Sequence, residues 1–188
     1  MSSVLVVVDM QNGFVSSKAR PVVPKVVELV ERWEQTGRDV VFTRFLNEHG
    51  SQFENWIHWS RFMKEKEDGS PNPEIDIIPE LGAHADRALA VIDKPALYSP
   101  FTPDFVELLS NHGWTQFVVA GIATESCVMK TAADSFERGI KPLVVTDACY
   151  SHAGQERHLQ GLGVIKAFIG RDQLVTIDAL FDHLATAA

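Results

Sequence analysis

This sequence is short of cysteine, of basic charge and of long apolar runs, and each shortage excludes something. Two cysteines, Cys127 and Cys149, are too few for a disulfide framework or a four-cysteine zinc site. They fit a reducing compartment, so a cytoplasmic protein is expected. Lys and Arg total 17 against 25 Asp and Glu, a formal net charge of −8. A nucleic-acid binder needs cations to neutralise phosphates, so no nucleic-acid partner is expected. No run approaches the roughly 20 apolar residues that span a bilayer, so no membrane partner is expected either. The apolar run Val4-Leu5-Val6-Val7-Val8 ends at Asp9 without a basic leader and does not read as a secretory signal.

Cofactor motifs are missing as well. There is no Gly-Lys-Ser/Thr phosphate loop. Gly161-Leu162-Gly163 has no preceding strand and no third glycine, so it is not a dinucleotide fingerprint. None of the seven histidines forms a His-x-x-x-His pair or an Asp-x-His clip, so no metal and no cofactor are expected.

What remains is 188 residues, 45% of them hydrophobic, enough for one domain over 1–188 with a real core. Lys64–Pro73, with its charges, Gly69, Pro71 and Pro73, reads as a surface loop. The rest alternates between two periods. Strands are expected at Val4–Val8, Asp39–Thr43, Ala88–Ile92, Gln116–Ala120, Pro142–Thr146 and Leu174–Ile177. Helices are expected at Val22–Gln35, Pro103–Ser110, Glu125–Arg138 and Gln155–Ile169, with a short one after the last strand. Strands that alternate with helices and lack period-two polarity predict an α/β fold. Its expected form is a three-layer α/β/α sandwich around a mainly parallel sheet of about six strands.

Ligands of open α/β sheets gather beyond the carboxyl ends of the strands. Asp9 follows the first predicted strand, Asp93 and Lys94 the third, and the turn Gly121–Cys127 the fourth. A carboxylate, an ammonium and a thiol therefore share one edge. With Thr124 as N-cap, Cys127 falls in the first helical turn, where thiol pKa values drop and backbone N–H groups are free. The alternative is a buried cysteine acting as a small hydrophobe. Cys149 takes that second reading. Asp9 alone fits a loop-capping carboxylate and Lys94 alone a surface lysine. His152, just past a strand end, is the one candidate for a Cys–His dyad. Phe53, Trp56, Trp59 and Phe62 have the spacing of one helix face, packed on the core or a second subunit, or forming a substrate wall.

Three blocks then carry a resemblance: Val8-Asp9-Met10-Gln11-Asn12-Gly13-Phe14, Asp93-Lys94-Pro95-Ala96-Leu97-Tyr98-Ser99-Pro100-Phe101, and Ala120-Gly121-Ile122-Ala123-Thr124-Glu125-Ser126-Cys127-Val128. With the weaker Thr146-Asp147-Ala148, the chain resembles the isochorismatase-like cysteine hydrolases, which include nicotinamidases and N-carbamoylsarcosine amidases. The resemblance implies a catalytic triad of Asp9, Lys94 and Cys127 and a cis peptide between Ile122 and Ala123. It also implies an oxyanion hole from the N–H groups of Ala123 and Cys127, and a substrate pocket that includes Phe14, Trp59 and Tyr98. Metal-binding nicotinamidases carry an Asp-x-His after the second strand; here that stretch reads Thr43-Arg44-Phe45-Leu46-Asn47. The implied activity is metal-independent hydrolysis of a small amide or ureide through a thioester, with a homo-oligomer as the family habit. An enol-ether hydrolase with an incidental cysteine and a non-catalytic binding protein with a vestigial triad are the rival expectations.

Overall fold

The computed structural model describes residues 2–186. Six strands are found among them: β1 (Ser3–Val8), β2 (Asp39–Leu46), β3 (Ala90–Pro95), β4 (Gln116–Ile122), β5 (Lys141–Tyr150) and β6 (Leu174–Val175). All pair in parallel, in the order β3-β2-β1-β4-β5-β6. The helices are α1 (Val23–Glu34), α2 (Gln52–Ile57), α3 (Pro79–Arg87), α4 (Pro103–His112), α5 (Met129–Glu137), α6 (Gln155–Ile169) and α7 (Ile177–Thr186).

β1 is wholly buried because it lies mid-sheet with helices on both faces. Its side chains alternate between two cores. Leu5 and Val7 join Phe42, Val118 and Val145 under α1, α3 and α7. Val4, Val6 and Val8 join Val41, Val119 and Val144 under α4, α5 and α6. Trp33 anchors α1 in the first core and donates from Nε1 to the Asp39 carbonyl at 2.9 Å. Strand order reverses between β1 and β4. Their carboxyl ends therefore diverge and open the crevice where ligands of such sheets bind.

Several expectations shift. β3 runs to Pro95, so Asp93 and Lys94 lie inside a strand and point to opposite faces. β5 extends to Tyr150 and takes in Cys149. α3 was not expected; it carries Gly82 and buries only Leu81, which leaves little apolar period to read. The aromatic stripe is not one helix face. α2 stops at His58, whose φ is +54°, so Trp59 and Phe62 lie beyond it. Phe53 and Phe62 are buried within the chain and do not form a subunit interface. Trp56 alone points outward, 80% exposed. Among the described residues, no helix is long and apolar enough to cross a membrane.

Candidate active site

Asp9 closes β1 with φ +48°, a left-handed conformation that aspartate tolerates better than most residues. Its N–H donates to the Thr43 carbonyl at 3.2 Å. Its Oδ1 accepts from the Thr43 hydroxyl at 2.6 Å, and its Oδ2 accepts from Lys94 Nζ at 2.6 Å. Lys94 Nζ also donates to the Tyr98 carbonyl at 2.9 Å. Neither the Asp9 nor the Lys94 side chain has any exposed surface. Asp93, on the other face of β3, is instead held by Arg44 at 2.8 and 3.1 Å.

Gln11, fully buried, ties the loop after Asp9 to β2. Its Nε2 donates to the carbonyls of Phe45 and Ile75, both at 2.9 Å, and its Oε1 accepts from the Phe45 N–H at 2.7 Å. A glutamine in a polar post-strand loop gave no separate signal in the sequence beyond its place in the first block.

The thiol comes from the end of β4. At Gly121, φ is +117° and an added Cβ would stand 2.1 Å from the Val8 carbonyl oxygen, so only glycine fits beside β1. The Ile122–Ala123 peptide is cis. A π-helical turn, Thr124–Val128, then leads into α5. Thr124 is not the N-cap. Ala123 holds that place, and its carbonyl accepts from the N–H groups of Ser126 and Val128 at 3.0 and 3.1 Å. The Thr124 hydroxyl pairs instead with His158 Nδ1 at 2.8 Å. That histidine stacks on Tyr150, and burial holds its pKa below the usual imidazole range. α6 can approach the turn this closely because Gly161 faces the Glu125 backbone, where a Cβ would lie 2.8 Å from the nitrogen.

Cys127 is buried on this turn, close enough to Asp9 and Lys94 for both charges to act on its thiol. Burial pushes the thiol pKa well up; Lys94 opposes that and Asp9 adds to it. The expected lowering by a helix N-terminus is therefore overturned: desolvation outweighs it, and the resting thiol is protonated. For Lys94 the balance runs the other way. Burial favours the neutral amine, but the Asp9 carboxylate opposes it and the ammonium pKa rises. The resting arrangement is an Asp9–Lys94 ion pair behind a neutral thiol. Cys149 lies within β5, its thiol 3.8 Å from the Val119 carbonyl that accepts from it, and burial pushes it up to about 12.

A cavity of about 380 Å³ opens over Cys127 and Ala123. Phe14, Phe45, Phe53, Trp59 and Tyr98 form its apolar wall. Phe14 stacks on Phe62 at 4.0 Å between centroids, and Phe53 meets Tyr98 edge-on at 5.1 Å. Gly13 permits this stack, since a Cβ there would come within 2.5 Å of the Phe62 ring. Polar groups are few: Arg61, Glu125, Ser126 and His152. The Arg61 guanidinium is already bound to Glu74 and to the Gly13 carbonyl. His152 packs 5.7 Å from the Phe14 ring, and no hydrogen bond links it to Cys127 among the described residues. The Ser151 hydroxyl's bond to Glu125 and the Thr124–His158 pair were not anticipated, because each depends on contacts between the β5 end or α6 and the thiol turn.

Residues 43–47, which the structure places at the carboxyl end of β2, do not fit a metal. Phe45 lies in the aromatic wall. The Asn47 side chain is used up by the Trp59 carbonyl, the Glu48 N–H and the Ser51 hydroxyl. Among the described residues, no three His, Cys, Asp or Glu side chains cluster as a ligand set.

Residues 3–171 match the Isochorismatase domain family. The ureidoacrylate amidohydrolase RutB of Acinetobacter baylyi is 27% identical over 196 residues, covering 88% of this chain and 78% of that protein. Nicotinamidase 3 of Arabidopsis thaliana is 30% identical over 149 residues, covering 77% and 71% respectively. The crystal structure of N-carbamoylsarcosine amidase from Thermoplasma acidophilum superposes with a TM-score of 0.79 at 22% identity, covering 95% of this chain and 98% of that one.

Proposed function

The chain belongs to the isochorismatase domain family, and from that premise we propose that it hydrolyses the C–N bond of a small amide or ureide through a thioester on Cys127. The observation that carries this is the buried Asp9–Lys94 ion pair at 2.6 Å, set behind a thiol that lines a cavity of substrate size. Amidohydrolases among the relatives support the class of substrate.

A neutral thiol needs a base at the moment of attack. Asp9 accepts the Cys127 proton as Sγ bonds to the substrate carbonyl carbon. The N–H groups of Ala123 and Cys127 hold the oxyanion. The C–N bond then breaks, and Asp9 returns the proton to the leaving nitrogen. A water molecule, deprotonated by Asp9, attacks the thioester; the acid departs and the thiol regains its proton. Lys94 fixes the Asp9 carboxylate and offsets the negative charge as the thiolate forms. Thr43 orients the other carboxylate oxygen. Phe14, Trp59 and Tyr98 hold the rest of the substrate, and no step passes through a metal. We place the protein in a homo-oligomer in the cytoplasm; sedimentation velocity and fractionation measure these.

The test is a panel of small amides and ureides, with isochorismate included, read by ammonia release and product chromatography. Hydroxylamine is added to capture an acyl-enzyme as the hydroxamate. Amide turnover with hydroxamate formation is expected. Conversion of isochorismate with no amide turned over would overturn the proposal.

A further inference from the structure

The cavity contains a carboxylate that the hydrolytic scheme leaves unused. Glu125 stands two residues before Cys127 and lines the same cavity. Its Oε1 accepts from the Ser151 hydroxyl at 2.7 Å. Ser151 Oγ in turn accepts from the Ala153 N–H at 3.0 Å, so the hydroxyl has its one proton to give and gives it to Glu125. The other carboxylate oxygen, Oε2, is buried and has no hydrogen-bond partner among the described residues. An unpaired buried acceptor is costly, and such groups in folded proteins usually have a partner. The terminal torsion of glutamate is soft, and Glu125 lines the cavity, so a bound donor can draw Oε2 toward it.

The surroundings favour a donor over an anion. The one guanidinium at the cavity, Arg61, is held by Glu74 and the Gly13 carbonyl and lies over the Phe62 ring at 5.4 Å. Much of the cavity lining is aromatic, and aromatic faces attract cations. A carboxylate on the substrate would meet Glu125 with no unpaired cation lining the cavity among the described residues.

We propose that Glu125 is a specificity residue: its Oε2 takes a hydrogen bond from an N–H or ammonium group on the part of the substrate away from the scissile carbonyl, and its charge turns away substrates that carry a carboxylate there. This rests on the amide-hydrolase proposal above and names the substrate class within it.

Three amides of one shape test it: benzamide, 4-(aminomethyl)benzamide and 4-carboxybenzamide. The expected result is kcat/KM at least about tenfold higher for the aminomethyl than for the carboxy compound. Glu125→Gln keeps an acceptor for Ser151 but loses the charge, and should shrink that ratio to about threefold or less. Calorimetry on Cys127→Ala protein measures binding of the same compounds without chemistry, and the same order of affinity is expected. Ordered binding with no hydrolysis would sink the amidase proposal and leave the selectivity standing. An equal or inverted order in the parent protein would overturn the selectivity. So would an order that Glu125→Gln leaves unchanged, or failure of the aminomethyl compound to bind.

Discussion

Lys94 Nζ lies 2.6 Å from Asp9 Oδ2, and neither side chain reaches solvent. A buried pair of this kind contributes little net stability, but losing one partner strands the other charge in the core. Lys94→Met should therefore cost about 3–5 kcal/mol, seen as a lower urea midpoint. Asp9→Asn should cost less, because the side-chain amide oxygen still accepts from Thr43 and the ammonium keeps its Tyr98 carbonyl.

The raised thiol pKa makes Cys127 a poor nucleophile in the resting protein. Its alkylation by iodoacetamide should be slow at neutral pH and keep rising past pH 9, without the plateau of an activated thiolate. Because the Asp9 charge helps hold the thiol neutral, Asp9→Asn should alkylate faster while hydrolysing amides more slowly. Rates of carbamidomethylation at Cys127 by mass spectrometry check both.

Alkaline stability follows from Cys149. Its thiol is pushed up to about 12 from an ordinary 9.0. An acid whose pKa is raised by folding favours the folded state below its unfolded value, and that advantage is lost as pH climbs through the folded one. Between pH 9 and 12 the Cys149 contribution should fall by about 1.4 kcal/mol per unit. Cys149→Ala should flatten the decline of unfolding free energy with pH over that window, whatever it does to stability at pH 7.

Two glycines of α6 separate packing from propensity. Gly161→Ala puts a Cβ 2.8 Å from the Glu125 nitrogen, so helix and thiol turn must part. A loss of about 1–3 kcal/mol and a fall in kcat are expected. Gly163→Ala meets nothing within 4 Å and should stabilise by about 1 kcal/mol through helix propensity. Thermal unfolding of both variants tests the contrast.

The strand ends were the legible part of this sequence. β-branched runs are hard to mistake for anything but buried strands, and a parallel sheet sends their carboxyl ends to one edge. Asp9, Lys94 and the Cys127 turn consequently meet. α6 was also legible, at Gln155–Ile169 in both sequence and structure. The aromatic stripe was not, because His58 breaks the helix where the spacing alone continued it. The Thr124 cap failed for a related reason: a π-helical turn and the His158 contact redirect its hydroxyl. The thiol pKa depends on burial, a property of the assembled core that no local pattern encodes.

The most direct measurement is the rate of ammonia release by Cys127→Ala on the amide that the parent protein turns over fastest. A thioester route predicts a rate at the uncatalysed background, with the variant folded and the substrate still bound. A rate comparable to that of the parent would contradict Cys127 as the nucleophile.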